Sequence, residues 1–189
     1  GFKAVFKLGI TVFLVFLLDF VISKNNLTQK NSYAIMTFGL LLGMFPEAMI
    51  YSDLLLANLF VFFALRRLIS LHSNLNIKKK LFDAGFWIAL ATLFCFWAIL
   101  FFALVIVALI YHSKNDIKNV IIPFIGIVTV IILLLIYNIF FYDTYLRPSN
   151  FKRYTSLDYT VYNSKQSILK FTVLFTSFIW TLIYFFRTL

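Results

Sequence analysis

Acidic residues are scarce in this chain: seven Asp and Glu stand against 17 Lys and Arg, and charged residues of all kinds make up only 13%. Cysteine occurs once, as Cys95 inside an apolar run. No internal disulfide can form, and such a Cys reads as a small packing residue. Histidine occurs twice, as His72 and His112, each near basic residues at the end of an apolar segment. Neither has the clustered partners that a metal site needs. The chain has no P-loop, no GxSxG, no HExxH, no repeat of fixed period and no DNA- or RNA-binding motif. It also has no polar stretch long enough to build a soluble domain.

What is present is apolar. Hydrophobic residues make up 62% of 189 residues, with 25 Phe, and the mean hydropathy is +0.95. A soluble domain carries about 25% charged and about 45–50% apolar residues, and could not hide this much apolar surface. Lipid removes the difficulty, because it favours apolar exteriors. The expected fold class is all-α: a polytopic transmembrane helix bundle of six to seven membrane segments, forming one domain over residues 1–189. The net charge is +10. The basic residues sit mainly between apolar runs, so they read as topology signals and contacts to membrane lipids rather than a nucleic-acid surface. The chain starts at Gly1, and its opening residues run straight into an apolar helix with no cleavage site. It does not read as a signal peptide, and the natural chain is expected to begin upstream.

Each span needs about 20 apolar residues to cross about 30 Å of hydrocarbon. The candidates are Ala4–Ile22, the short Tyr33–Phe45, a span from Ser52 and Asp53 to about Ile69, the long run Phe82–Tyr111, Val120–Phe141 and Ile168–Phe186. Ser52 and Asp53 suit the N-cap of the third, Asp83 the cap of the fourth, and Pro123 the first turn of the fifth. Gly39 and Gly43 form a small-xxx-small pattern suited to close helix approach. Arg66, Arg67, Lys78, Lys79 and Lys80 mark the most basic loop, which the positive-inside rule places in the cytoplasm. The Pro46–Asp53 link then faces outside, and the Ser23–Ser32 loop returns inside. The Phe82–Tyr111 run is long for one helix and short for two. Counting basic residues leans to a single tilted span, whereas a hairpin bent near Phe94–Trp97 would return Lys114 and Lys118 to the inside.

Two places could carry chemistry. Glu47 and Asp53 lie six residues apart across a Pro-initiated bend. Both could face one water-filled cleft, where paired carboxylates can hold a divalent cation or orient a hydroxyl. The plainer alternative is a helix cap and a carboxylate in headgroup water. The second place is Tyr142–Lys165, which mixes Arg147, Lys152 and Arg153 with Tyr154 and other aromatics. Guanidinium and ammonium groups bind phosphate, and rings offer flat faces to sugars. An ordinary interfacial belt would look similar. Asp19, near the inner end of the first span, reads as an interfacial acid.

The stretch MFPEAMIYSDLLLANLFVFFALRRLISL resembles the GT-C superfamily of membrane glycosyltransferases, in which an outward acidic loop leads into a helix ending in a basic cytoplasmic turn. KKKLFDAGFWIALATLFCFWAILFFALVIVALIYHSK looks like the superfamily's short helix pair, and IPFIGIVTVIILLLIYNIFFYDTYLRPSNFKRYTS is similar to its following helix and outward loop. The match lies in segment order and loop character over Met44 to Ser156. The whole chain also resembles a family of uncharacterised bacterial multi-pass membrane proteins. The resemblance implies a hairpin at Phe82–Tyr111, an outward Tyr142–Lys165 segment and a bacterial inner membrane. It implies transfer of a sugar from a polyprenyl-phosphate carrier to an acceptor outside. Asp53 matches a second acidic motif and Glu47 does so approximately. Arg147, Lys152, Arg153 and Tyr154 match only a region, as substrate-binding residues. The superfamily's principal acid would precede Gly1. The alternative is a non-catalytic multi-pass subunit or scaffold of a cell-envelope complex, packed on a membrane-protein partner. A transporter is weaker, since no intramembrane charge pairs stand out.

Overall fold

The computed structural model describes residues 2–27, 32–112, 117–145 and 163–188, and every regular element among them is helical. The chain forms two compact units, Gly1–Tyr154 and Thr155–Leu189. The first contains α1 (Phe2–Asn25), α2 (Tyr33–Met44), the single turn α3 (Glu47–Ile50), α4 (Ser52–Ile69), α5 (Ile77–Phe94), α6 (Phe102–His112) and α7 (Ile117–Tyr142). Two 3-10 turns, Ser70–Ser73 and Phe96–Phe101, follow α4 and precede α6.

Among the described residues, four segments are long and apolar enough to cross a membrane: Ala4–Asn25, Ser52–Ser73, Asn119–Tyr142 and Lys165–Tyr184. Tyr33–Met44 and Phe96–Tyr111 are shorter apolar helices. The chain is thus a helical membrane protein, and its helices bury narrow stripes. In α1 the buried residues are Thr11, Leu14, Leu17 and Val21, a three-to-four spacing that keeps them on one face. Leu8, Phe16 and other large apolar residues of α1 remain exposed, as lipid-facing side chains do.

The core of the first unit is α4 and α5 packed together, with α7 on the other side of α5. Asn74 and Asn76 both take the left-handed backbone, at φ 53° and 52°, a conformation that Asn tolerates better than most residues. They reverse the chain, so α5 runs back against α4. Ala64, Leu68 and Leu71 accordingly cluster with Leu81, Ala84 and Ile88, and Val61 meets Ala91 further along. Small buried residues on both helices (Ala57 and Ala64, then Ala84 and Ala91) let the backbones approach. Trp87 fills the wider flank, with ring centroids 5.0 Å from Phe63 and 5.7 Å from Phe60.

Close approach is tightest between α5 and α7. A Cβ on Gly126 would lie 2.6 Å from the Phe82 carbonyl oxygen and 2.8 Å from the Phe86 nitrogen, and one on Gly85 would run into the Pro123 backbone. The Gly39/Gly43 pattern plays no such part: nothing among the described residues lies within 4 Å of a Cβ built there. The sequence pattern marked α2, but the burial falls on α5 and α7, because a lone pattern does not say which face finds a neighbour.

Contacts between α5 and α7 rise together in number. Phe82, Gly85 and Phe86 meet Pro123 and Gly126, and further on Ile88 and Thr92 share a cavity with Ile127 and Leu134. The two helices are therefore parallel, and the chain must return between them. It does so at Cys95, whose extended backbone (φ −139°, ψ 112°) ends α5. After the 3-10 turn, α6 comes back to place Val105 and Leu109 in the cluster with Leu71 and Leu81. The Phe82–Tyr111 run is a hairpin and not the single span that counting basic residues favoured. The eighteen residues of α5 run ~27 Å along its axis, with Lys78–Lys80 at the basic end.

Other local expectations also shift. α7 starts at Ile117, so Pro123 sits inside the helix rather than in its first turn. Its missing N–H takes the usual donor from the Asn119 carbonyl. α5 starts at Ile77 after Asn76, so Asp83 is interior and caps nothing; instead it accepts from Arg67 at 2.8 Å. Parallel and antiparallel packing give the first unit two ends. One carries Pro46–Asp53, Cys95 and the end of α7. The other carries Asn25, Arg66–Lys80, His112 and the start of α7.

The second unit contains α8 (Lys165–Thr188). Ser164 caps it, its hydroxyl accepting from the Ser167 N–H at 3.2 Å. Thr172, Thr176, Ser177 and Thr181 return their hydroxyls to carbonyls of the same helix. This lets polar side chains enter an apolar segment without unmade hydrogen bonds.

Candidate functional site

The acidic end is built by a proline. α2 ends at Met44, and Pro46 opens a tight turn whose carbonyl accepts from the Met49 and Ile50 N–H groups, both at 3.0 Å. That turn, α3, consumes residues 47–50. Tyr51 alone is extended (φ −85°, ψ 110°) and serves as the N-cap of α4, with no side-chain capping hydrogen bond. Ser52 and Asp53 therefore do not cap the helix, as their residue types suggested; they are its first two residues. Asp53 is partly buried in the first turn of α4, where exposed N–H groups give a helix its positive end.

Lys7 reaches the same place from α1. Its ammonium donates to the Ile50 carbonyl, the last residue of α3. In the sequence Lys7 was only an interruption of an apolar run. The signal that could have marked it is its place: one turn into a helix that starts at the same face as the acidic link. The Lys7 carbonyl in turn accepts from Thr11 Oγ1 at 3.0 Å.

Glu47 is the first residue of α3, one element away from Asp53, with Tyr51 as the hinge between them. The Glu47 side chain lies outside the described residues, as do Arg147, Lys152, Arg153 and Tyr154. Their point of departure is described. α7 ends at Tyr142, Asp143 turns the chain with φ 51°, and the Asp143 N–H bonds the Ile139 carbonyl at 3.2 Å. The Tyr145 carbonyl is held by the amide of Asn138, a side chain only 1% exposed, at 3.2 Å. The segment after α7 thus leaves from the end of the unit that carries Asp53. Asn138 was missed in the sequence because a single Asn in an apolar run gives no pattern.

For a divalent cation, no group of three or more His, Cys, Asp or Glu side chains gathers among the described residues. A cavity of about 190 Å³ lies between α5, the Phe96–Phe101 turn and α7, lined by Ile88, Thr92, Leu93, Phe102, Ile131 and Leu134 among others. Thr92 is the one residue of these six with a polar side chain, and its hydroxyl is bound to the Ile88 carbonyl at 2.9 Å. The cavity can therefore hold hydrocarbon but offers nothing to a sugar or a phosphate.

No protein-family model, curated protein or solved structure matches this chain.

Proposed function

We propose that the chain is a GT-C-like integral membrane glycosyltransferase that crosses the membrane six or seven times and transfers a sugar from a polyprenyl-phosphate carrier to an acceptor outside the cytoplasm. One observation carries this reading: the hairpin at Cys95 makes α5 and α7 parallel, so the segment after Tyr142 departs from the end that holds Asp53. A carboxylate at that end, and the basic and aromatic composition of the segment that follows, suit a donor that is both a phosphate ester and a sugar. The count of spans includes α2, α5 and α6 beside the four long segments. The hairpin also moves Lys118 to the end that carries Lys78–Lys80, which agrees with the positive-inside rule for α1 to α7.

In this reading Asp53 accepts a hydrogen bond from the attacking hydroxyl and takes its proton as the new glycosidic bond forms. Glu47 is the second acid on the same link. Lys7 holds the link in place through the Ile50 carbonyl. Arg147, Lys152, Arg153 and Tyr154 hold the phosphate, and the cations stabilise its charge as it leaves. The apolar cavity between α5 and α7 suits part of an isoprenoid chain.

The test is transfer by full-length protein in vesicles supplied with polyprenyl-phosphate-linked sugar. Asp53→Asn should lower the rate by roughly 10²–10⁴-fold, the range for a general base. An unchanged rate would remove Asp53 from the mechanism.

A second reading, a non-catalytic subunit beside a partner membrane protein, is favoured by α2, which has no buried residue and leaves Gly39 and Gly43 open. It expects transfer to be absent and Gly39→Cys to crosslink to a partner helix.

A further inference from the structure

At the end opposite Asp53, three helices bring cations to one pocket. Lys24 comes from the last turn of α1, Arg66 and Arg67 from the last turn of α4, and Lys80 from the first turn of α5. The space between them is about 350 Å³, with Phe20 and Leu75 forming apolar walls. Lys24 and Arg66 lie over the same Phe20 ring, at 5.3 Å and 5.0 Å from its centroid. Asp83 binds Arg67 at 2.8 Å, and among the described residues no carboxylate lines the pocket.

Helix ends explain part of this cluster. Lys24, Arg66 and Arg67 sit at C-terminal ends, where cations are favoured. Lys80 is the exception. It occupies the positive end of α5, behind Asn76, whose side chain makes no capping hydrogen bond. There the helix dipole and the other cations both oppose its charge. Its ammonium is nevertheless directed back toward α4, donating to Ser73 Oγ at 2.7 Å and to the Ser70 carbonyl. Burial, and then Arg67 and Lys24, hold its pKa below the ordinary 10.5. A fold that gathers like charges against their mutual repulsion is suited to an anion that offsets it.

We infer that the pocket between α1, α4 and α5 binds a phosphate group carried on a membrane lipid, gripped by Lys24, Arg66 and Lys80. Phosphate is the chemistry that ammonium and guanidinium groups share as a target. The lipid is the source because Phe20 continues into the exposed apolar face of α1, where Phe13 and Phe16 also stand outward. That face offers acyl chains a path down from the headgroup. Basic pockets between helices are established places for anionic headgroups. The site lies at the end of the bundle opposite Asp53, and it does not depend on the glycosyl-transfer reading.

The experiment is lipid retention by the full chain in nanodiscs of phosphatidylcholine with and without phosphatidylglycerol, counted by native mass spectrometry after transfer to detergent. Wild type should retain phosphatidylglycerol selectively. Arg66→Met and Lys80→Met should each weaken retention roughly fivefold, and the pair roughly thirtyfold. Lys80→Arg should restore it, showing that charge and not folding is read out. Lys165→Met, an equal change of charge on α8, should leave it intact. Equal losses in Lys165→Met and Lys80→Met would overturn the site. Displacement of the retained lipid by millimolar inorganic phosphate would overturn the lipid as its source.

Discussion

Single residues here act through the space they do not fill and the charge they cannot share. Gly126 is the sharpest case of space. A Cβ there meets backbone atoms of Phe82 and Phe86, and backbone cannot swing aside as a side chain can. Gly126→Ala should therefore destabilise the protein by about 1–3 kcal/mol, the usual penalty of overpacking. Gly39→Ala meets nothing, and alanine's better helix propensity should make it neutral or stabilising by up to about 1 kcal/mol. Thermal unfolding of the two variants in one detergent checks both, and equal behaviour would contradict the packing. Lys80 is the case of charge. Its folded pKa lies below its unfolded one, held there by burial and by Arg67 and Lys24, with Arg66 close by and Asp83 engaged with Arg67. The unfolded chain then binds the proton more readily. Protonated Lys80 disfavours the fold below the folded pKa, and that penalty lifts as pH rises through it toward 10.5. In phosphate-free detergent, wild type should gain stability across that alkaline window relative to Lys80→Met. Parallel curves would contradict the shift.

At the scale of elements, α5 is the organising helix. It packs on α4 through small residues and Trp87, and on α7 through Gly85 and Gly126. An ion pair joins α4 to α5, between Arg67 and Asp83, with side chains 37% and 19% exposed. At that exposure, solvent screens much of the attraction. A double-mutant cycle of Arg67→Met and Asp83→Asn should give a coupling of about 0.2–1 kcal/mol. A coupling of several kcal/mol would mean that the pair is far drier than its exposure indicates. How α5 ends matters as much as how it packs. Cys95 holds an extended backbone although it lies within an unbroken apolar run. Composition could place the bend near Phe94–Trp97 but could not choose between a bend and a long tilted helix. That choice came from α7, whose parallel course requires the chain to return.

For the first unit as a whole, these choices fix which residues share an end. With Cys95→Ser as background, Lys78→Cys and Lys118→Cys should react with a membrane-impermeant thiol reagent from one side of sealed vesicles. Asp53→Cys and Asp143→Cys should react from the other. Reaction of Lys118→Cys from the Asp53 side would restore the single-span topology and separate Asp53 from the segment after α7. The same arrangement gives the unit an acidic end, where α3 and Lys7 set the position of Asp53, and a basic end, where α1, α4 and α5 converge. In the reading offered above, chemistry is at the first and lipid recognition at the second.

The sequence by itself determined the solvent, the helices and their approximate ends. Ala4–Ile22 became Phe2–Asn25, and Val120–Phe141 became Ile117–Tyr142, because a long apolar run has only one economical backbone arrangement in lipid. It also marked the proline bend before Asp53. Which glycines touch a neighbour, whether Asp83 caps or pairs, and that Lys7 reaches Ile50 were decided only by tertiary structure. The reason is physical. Hydropathy reports how a residue partitions between water and hydrocarbon, and all the buried and lipid-facing faces of these helices partition alike. Only packing, which depends on shape and backbone distance, separates one apolar face from another.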